Sequence, residues 1–547
     1  MTVVLRGARV VDGTGEPSRS VDVAVEEGRI AAVGDVPRDV GETVDLSGLV
    51  LAPGFIDPHT HYDAQLLWDR DLTPSSWHGV TTVVTGNCGF GLAPTHPEHR
   101  PIILRTLENV EGMPLDALEA GIPWTFETFP EYLDAVDAAP MRCNVAALAP
   151  HTPMRFWVLG EEATERAATD REVAEMRALV DEALAAGAVG FSSSRTASHV
   201  GAYGKPVPSR LADLTEIRTL AGVLKDRGQG TFQSTWAPDL FVEEFADIAR
   251  EIDRPVSWAA LMVVKEDPAH AASVAERVAA AGGSVHPQIA CRPIVVQVTL
   301  ADPSPFANVP AFEEILGRDA AGRRACYADA AWRERAKAGL RERWGTKLDF
   351  ATVQETEVHT ALRGGPSLAE IGAPSGRDAL DVMCDLALAE DLGTRFRLVM
   401  VNDDEEQVAA LLQDRRFLLG LSDAGAHTSQ LCDANYATYL LQRYVRELGT
   451  LSLEMAVWRL TGQPAAVYGL EGRGRIAAGD VADLVAFDPV TVGTGELERV
   501  TDFPAGADRL VAHSTGVEHM WVTGVQTRRD GRDIAGTRPG RLLRGGR

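Results

Sequence analysis

Eight short apolar runs, separated by stretches with helical patterning, constrain the fold of this 547-residue chain more than any other feature. Apolar runs that alternate with amphipathic helices are typical of parallel strands joined by crossover helices. Eight such strands are the number that closes a barrel. We therefore predict an α/β fold built on a TIM-like (β/α)8 barrel, with strands at 54–63, 80–86, 144–149, 187–193, 230–235, 255–263, 284–289 and 417–421.

The segment 169–186 shows the helical pattern between two of these strands. Its start is rich in Asp and Glu, which is typical of helix N-termini because acidic side chains interact favourably with the helix dipole. Its apolar residues recur at helical spacing and would cover one face of a helix. These residues are Val173, Met176, Leu179, Val180 and Leu184.

Both ends of the chain show alternating apolar and polar residues punctuated by Gly and Asp, a pattern that predicts short antiparallel strands. We expect residues 1–53 and 470–547 to form one small β-sandwich domain, and residues 54–469 to form the barrel. The stretch at about 301–400 does not fit a simple crossover. An insertion of this length between the last two barrel strands indicates a lid or a substrate wall. The predicted terminal strands are 3–5, 21–25, 29–33, 483–487 and 520–525.

The composition excludes several classes of partner. Lys and Arg number 53 against 78 Asp and Glu, which gives a net charge of −25 and argues against nucleic acid or an anionic membrane as partner. The six cysteines have no paired spacing, which favours a reducing compartment over a disulfide scaffold. Neither a signal peptide nor a membrane-spanning run is evident, so we expect a cytoplasmic protein. A homo-oligomer is left open.

The first predicted strand contains Gly54-Phe-Ile-Asp-Pro-His-Thr-His61, which carries two histidines one residue apart. Residues i and i+2 of a strand point to the same face, so His59 and His61 would project side by side. Neutral imidazole is the commonest protein ligand for zinc, and a catalytic zinc keeps an open position for water. Two solvated histidines are the alternative, but residues 49–56 are too apolar for an exposed edge.

Two further strand ends carry groups that could act on a metal or on water. Cys88 lies in the Gly-rich turn Gly86-Asn-Cys-Gly89, either as a thiolate ligand or as a buried small apolar residue. Asp423 follows the eighth strand and could ligate metal and take a proton from water. A helix-capping role is the alternative for Asp423.

Other polar residues near predicted strand ends are candidates for substrate binding. A histidine there could hydrogen-bond substrate, and a guanidinium would suit a substrate carboxylate. Surface or supporting roles are the alternative for each of them. The candidates are His151, Arg155, Arg195, His286, Arg292 and His427.

Taken together, these motifs resemble the amidohydrolase superfamily. The carrying motifs are the His-x-His stretch, Gly86-Asn-Cys-Gly89, Ser422-Asp423, Leu460-Thr-Gly-Gln-Pro-Ala-Ala466 and Gly479-Asp-Val-Ala-Asp-Leu484. Within the superfamily the chain is most similar to the D-aminoacylase (N-acyl-D-amino-acid deacylase) branch, as a divergent member, over nearly its whole length except about 301–400. The resemblance implies a barrel with a β-sandwich from both termini, zinc, and amide hydrolysis by metal-activated water.

The resemblance also implies roles for individual residues. His59 and His61 match the first-strand ligands, Cys88 matches the cysteine that replaces a carboxylated lysine, and Asp423 matches the general acid/base. Gln233 and Trp258 stand where D-aminoacylases carry ligand histidines on strands five and six. We therefore expect one metal ion, Zn2+ or another divalent metal, held by the two histidines with Asp423 or Cys88, while Gln233 and Trp258 become substrate-binding candidates.

These observations predict a metal-dependent hydrolase that acts on a carbon–nitrogen bond other than a peptide bond. The expected substrate is a small molecule, an N-acyl-D-amino acid or a related N-acyl compound. Hydrolysis of a cyclic amide or lactam is the alternative within the enzyme class. A ligand-binding protein without turnover is the alternative from a different class.

Overall fold

The computed structural model describes residues 2–37, 39–265 and 267–545. The chain divides into two compact units. The larger unit comprises Met1–Arg292, Asp404–Thr428 and Cys432–Arg547, and the smaller comprises Pro293–Asp403 and Ser429–Leu431. Among the described residues, no helix has both the length and the apolar content needed to span a membrane.

Parallel strands form the centre of the larger unit, in two sheets. We number these strands β1 Phe55–Asp57, β2 Val80–Thr85, β3 Asn144–Ala147, β4 Gly190–Ser193, β5 Thr231–Thr235, β6 Val256–Ala259, β7 Val285–Ile289 and β8 Leu418–Leu419. The first sheet has the order Leu542–Leu543, β3, β2, β1, and the second has the order Ala149–Pro150, β4, β5, β6, β7, β8. All neighbours within both sheets run parallel.

The predicted mixed α/β content is confirmed, although several strands are shorter than predicted. β1 ends at Asp57 because Pro58 has no N–H to continue a ladder, and the two histidines follow the strand. The predicted helix at 169–186 is present as Asp170–Ala186. Thr169 and Glu172 form a capping box at its start, which satisfies free backbone N–H groups.

Helices connect and cover these strands. Their apolar faces join one large core with the outer faces of the strands. The α-helices of this unit are Arg100–Glu111, Leu115–Gly121, Phe129–Asp137, His151–Leu159, Asp170–Ala186, Leu214–Arg227, Val242–Ile252, His270–Ala281, Glu405–Gln413, Tyr436–Leu440, Leu453–Leu460 and Gly462–Tyr468, and a π-helix spans Leu441–Glu447.

Strands from both ends of the sequence share a seven-stranded sheet. A four-stranded sheet from the N-terminal region packs with it around one apolar cluster. The predicted strand at 520–525 is interrupted, because Thr523 and Gly524 have positive φ and make a turn. The seven-stranded sheet has the order Arg532–Asp533, Val525–Arg529, Val517–Val522, Leu484–Phe487, Val50–Pro53, Arg9–Val10, Arg19–Ser20. The four-stranded sheet has the order Arg29–Gly34, Asp22–Glu26, Val3–Arg6, Glu42–Asp45. A separate hairpin pairs Gly493–Val500 with Arg509–Thr515.

The smaller unit has its own core and a three-stranded antiparallel sheet. Its sheet order is Ile294–Thr299, Arg395–Val401, Thr352–Glu355. The charged stretch 332–344 is helical within Ala330–Trp344. The other α-helices are Pro310–Glu313, Ala320–Ala328, Leu368–Gly372 and Ala379–Ala389.

The buried side chain of His78 forms hydrogen bonds with distant segments of the larger unit. Its Nδ1 lies 2.7 Å from Thr438 Oγ1, and its Nε2 lies 2.8 Å from the Ala512 carbonyl oxygen. Burial lowers the pKa of His78 to about 3. The folded protein therefore holds this imidazole neutral.

The neutral state of His78 predicts a pH-dependent loss of stability. Below about pH 6.5 the unfolded chain takes up a proton at His78 that the folded protein accepts only near pH 3. As the pH is lowered through this window, the free energy of unfolding should therefore decrease, and His78 contributes up to about 1.4 kcal/mol per pH unit to that decrease. His78→Gln should be less stable at pH 7 but show a flatter dependence in urea unfolding between pH 7 and 5. His270→Gln, at an exposed position, should keep the wild-type slope. Equal slopes for all three proteins would refute the expectation.

Candidate metal centre

The two histidines after β1 lie side by side in the interior of the larger unit. His59 is 1% exposed and His61 is 3% exposed, and their ring centroids are 5.3 Å apart. His59 Nδ1 lies 2.5 Å from Oε1 of Gln288 on β7, whose Nε2 donates to Ser257 Oγ on β6 at 3.0 Å. This contact fixes the ring of His59 and leaves its Nε2 facing the side chains described next.

Cys88 joins the histidines from the turn after β2. Its Sγ lies 3.4 Å from His59 Nε2. The backbone N–H of Cys88 donates to Gln233 Oε1 on β5 at 2.7 Å, and Cys88 itself has a positive φ of 55°. Ser192 on β4 donates to the Gly86 carbonyl oxygen and accepts from the Gly89 N–H at 3.1 Å. Neighbouring strands thus hold the turn that presents the thiol.

The glycines of this turn are required by space and by backbone conformation. Gly86 has φ 79°, and a Cβ there would lie 2.4 Å from the Leu148 carbonyl oxygen. Gly89 has φ 71°, and its Cβ would lie 2.9 Å from Ser193 Cα. Only glycine adopts such conformations without strain. The Gly-Asn-Cys-Gly motif therefore places Cys88 close against the next strands.

Asp423 reaches the same cluster because the segment after β8 is bonded to the segment after β1. Ser422 Oγ donates to the His59 carbonyl oxygen at 3.1 Å, and the His61 N–H donates to the Ala424 carbonyl oxygen at 2.7 Å. Asp423 has φ 45°, a left-handed conformation that is costly for a non-glycine residue and that concentrates at functional sites. The carboxylate is 31% exposed, so it contacts both the buried ligand atoms and solvent.

The donor atoms are spaced as the ligands of one metal ion. His59 Nε2 lies 3.4 Å from Asp423 Oδ1, and His61 Nε2 lies 3.8 Å from the same oxygen. Ligand atoms of His59, His61 and Cys88 all lie within 4.8 Å of one another. Tetrahedral zinc with bonds of about 2.0–2.3 Å places neighbouring donors roughly 3.3–3.6 Å apart. The residues therefore fit a small divalent cation.

The electrostatics of the pocket also suit a cation. Burial lowers the pKa of His59 and puts that of His61 well below its usual value, so both imidazoles are neutral, the form that binds metal. Burial raises the pKa of the Cys88 thiol well above its usual value, as do the nearby charges of Glu111 and Asp423. A cation would reverse this effect, since a coordinating thiol loses its proton.

Two residues of the site were not predicted from the sequence. Glu111 ends the helix Arg100–Glu111, and its Oε1 lies 3.6 Å from His61 Nδ1. His199 follows β4 in a loop, with Nδ1 2.7 Å from Ser194 Oγ, and burial lowers its pKa to about 3. Neither residue belongs to a short spaced motif, so the sequence alone carries no signal for them.

Among the predicted substrate-binding residues, His427 lies nearest the solvent-accessible side of the site. Its side chain is 30% exposed, and its Nε2 lies 3.9 Å from Glu111 Oε2. Gln233 lies inside the sheet and is bonded to the Cys88 backbone, as described above. His286 contacts Ser284 and the Arg416 carbonyl oxygen at the opposite, amino-terminal ends of the strands.

Trp258 lies on the helix-facing side of β6. Its ring stacks on Phe245 at 6.0 Å and contacts Phe241 edge-on at 5.3 Å. Because side chains alternate along a strand, its neighbour Ser257 occupies the face that bonds Gln288. The structure therefore does not bring Trp258 to the metal-binding cluster, and the residues of β6 on that face are Ser257 and Ala259.

Each of the three predicted anion-binding arginines already has an acidic partner in the protein. Buried charges are normally paired, because an unpaired ion loses its hydration. Each guanidinium charge is therefore already balanced within the protein, and a substrate carboxylate would have to share it with the existing partner. The pairs are Arg155 with Glu216, Arg195 with Asp239 at 3.0 Å, and Arg292 with Asp433 at 2.9 Å. His151 Nε2 also lies 2.9 Å from the Glu216 carboxylate.

Comparisons with known proteins place this site in context. A family model described as the amidohydrolase family matches residues 42–304 and 326–528. A D-aminoacylase of Alcaligenes xylosoxydans xylosoxydans is 32% identical over 535 residues, 94% of each chain. A solved D-aminoacylase structure with a binuclear metal centre is 29% identical, covers 99% of each chain and has a TM-score of 0.68. A solved structure of an N-acyl-D-glutamate deacylase of Bordetella bronchiseptica is 27% identical, covers 99% of each chain and has a TM-score of 0.67. That enzyme is complexed with zinc and with a phosphonate that mimics the tetrahedral intermediate.

The bonds that Ser192 makes to the Cys88 turn predict a specific effect of mutation. Ser192→Ala leaves the buried Gly89 N–H without its acceptor, which should cost about 1–3 kcal/mol of stability. It should also weaken zinc binding, because the turn that presents Cys88 is less well fixed. Urea unfolding and zinc titration against a chromophoric chelator measure both effects. The exposed Ser198→Ala should change neither, and wild-type values for Ser192→Ala would contradict the proposed support.

Proposed function

The chain belongs to the amidohydrolase family, and we propose that it is a metal-dependent hydrolase that cleaves the amide bond of N-acyl-D-amino acids or related N-acyl compounds. The predicted resemblance to the D-aminoacylase branch is confirmed. So is the predicted enzyme class, a hydrolase of carbon–nitrogen bonds other than peptide bonds. One observation carries the proposal for this chain: a partly exposed carboxylate lies within 4 Å of two buried imidazoles that also meet a thiol.

We propose that the site holds one divalent cation, most suitably Zn2+, through His59 Nε2, His61 Nε2 and Cys88 Sγ, with Asp423 beside them. A bound zinc ion polarises a carbonyl group and lowers the pKa of water towards neutrality. A single ion is supported by Gln233, whose carbonyl oxygen is committed to the Cys88 backbone. It is also supported by β6, whose inner face carries Ser257 and Ala259 and no imidazole.

Asp423 is proposed as the general acid/base. A carboxylate that faces both the ligand atoms and solvent can accept a proton from the attacking water and return it to the departing nitrogen. Its left-handed backbone and the bonds of Ser422 and Ala424 fix its position. Since His427 is partly exposed four residues later, we propose that it contacts the substrate.

We further propose that β1–β8 close into one barrel. Backbone bonds span both seams between the two sheets: Thr60 bridges Ala424, and the Val189 N–H donates to the Ala147 carbonyl oxygen at 2.9 Å. We also propose that the two terminal sheets form a β-sandwich, which is supported by the apolar cluster they share. A carboxyl-terminal edge of a barrel is where such enzymes assemble their sites.

Metal analysis combined with a substrate screen tests the proposal. The purified protein should contain about one zinc per chain, and His59→Ala should lose that metal and at least roughly 100-fold of activity. Asp423→Asn should keep metal but lose activity by roughly 100-fold or more, since a proton-transfer group contributes about that much. N-acylated D-amino acids should be hydrolysed in preference to their L-enantiomers.

The exposed variant His270→Ala provides the matched control and should keep both metal and activity. Full activity in His59→Ala, or in metal-free protein, would overturn the proposed function. Turnover of only cyclic amides would overturn the proposed substrate class while leaving the metal site intact.

A further inference from the structure

Glu111 is a buried carboxylate at the C-terminal end of a helix, a position that is energetically unfavourable for an acidic side chain. Its side chain is only 5% exposed, and it ends the helix Arg100–Glu111. The C-terminal end of a helix carries partial negative charge, so an acidic residue there is repelled. A buried carboxylate also loses its hydration. Such a residue needs compensating partners.

The partners of Glu111 are two imidazoles of the metal centre. Its Oε1 lies 3.6 Å from His61 Nδ1, and its Oε2 lies 3.9 Å from His427 Nε2. Among the described residues, these histidines are the basic side chains that lie within 4 Å of its carboxylate. The two oxygens thus face one imidazole from each of the segments that follow β1 and β8.

The backbone fixes the carboxylate in this place. The His427 N–H donates to the Glu111 carbonyl oxygen at 2.5 Å, which satisfies a carbonyl left free at the helix end. Gly112 follows with φ 57° and turns the chain away. The helix end and the segment after β8 are therefore joined by both main chain and side chains.

The Nδ1 atom of His61 lies 3.6 Å from this carboxylate, just beyond hydrogen-bond distance, and has no other partner among the described residues. Within the described part of the chain, Nδ1 of this buried ring makes no hydrogen bond. His59 shows the matching arrangement: its Nε2 faces Asp423 and its Nδ1 faces Gln288 Oε1. Histidines that bind metal generally donate their second ring N–H to an oxygen, which fixes the tautomer and the ring orientation.

We propose that Glu111 is a positioning residue that takes the Nδ1 proton of His61 as its hydrogen-bond donor and aligns His427 beside Asp423. The assignment rests on the proposed function, since it matters for a metal bound through His61 Nε2. By accepting from Nδ1–H, Glu111 keeps the Nε2 lone pair directed towards Asp423 and Cys88. By facing His427 as well, it ties the metal ligand to the substrate-facing histidine.

Zinc affinity and histidine tautomers of the full chain test this role. Glu111→Ala should weaken zinc binding by roughly 10–100-fold in competition with a chelator, as loss of such a partner does. Glu111→Gln keeps a carbonyl acceptor and should recover part of that loss. Nitrogen NMR of histidine-labelled protein should show His61 as the Nδ1–H tautomer in the wild type, with loss of that preference in Glu111→Ala. Glu108→Gln, one turn earlier on the same helix, should change neither measurement.

The outcomes separate this inference from the proposed function. Unchanged zinc affinity and an unchanged His61 tautomer in Glu111→Ala would overturn the role of Glu111. Wild-type protein that binds no zinc would overturn the proposed function, while the tautomer measurement would still decide the role of Glu111. If Glu111→Ala does not fold, Glu111→Gln decides through its zinc affinity: an affinity equal to that of the wild type counts against the role.

Discussion

The site depends on the pair of hydrogen bonds that join the segments after β1 and β8. Ser422 Oγ bonds the His59 carbonyl oxygen, and the His61 N–H bonds the Ala424 carbonyl oxygen. These bonds bring Asp423, distant in sequence, to the ring nitrogens of both histidines. Without them the strained backbone at Asp423 would relax, because a left-handed conformation persists only where its surroundings impose it.

Local sequence signals account for the parts of the molecule that could be predicted. The alternation of apolar runs and helical stripes predicted α/β content, and the acidic start and apolar stripe of 169–186 predicted a helix that the structure contains. His59, His61 and Cys88 stand in short motifs beside strand ends, and the structure brings their ligand atoms together. The ends of parallel strands meet at one edge, so such residues converge whatever their separation in sequence.

The remaining parts are set by contacts that no local pattern records. Glu111 ends an ordinary amphipathic helix, and its burial is explained by its contacts with His61 and His427, which come from distant segments. Trp258, which the family resemblance places at a ligand position of β6, faces a helix, and Ser257 faces Gln288. Two strands of the smaller unit pair with each other across about a hundred residues, which short-range patterning cannot detect.

The seven-stranded sheet has a consequence for how the chain is made. Val50–Pro53 pairs with Leu484–Phe487, and the late segment Leu542–Leu543 adds to the edge of β3. At about 5–20 residues per second, an emerging strand waits on the order of tens of seconds for such a partner on the ribosome. During translation the early apolar strand edges are therefore exposed, and the larger unit completes its sheets only after most of the polypeptide has been synthesised.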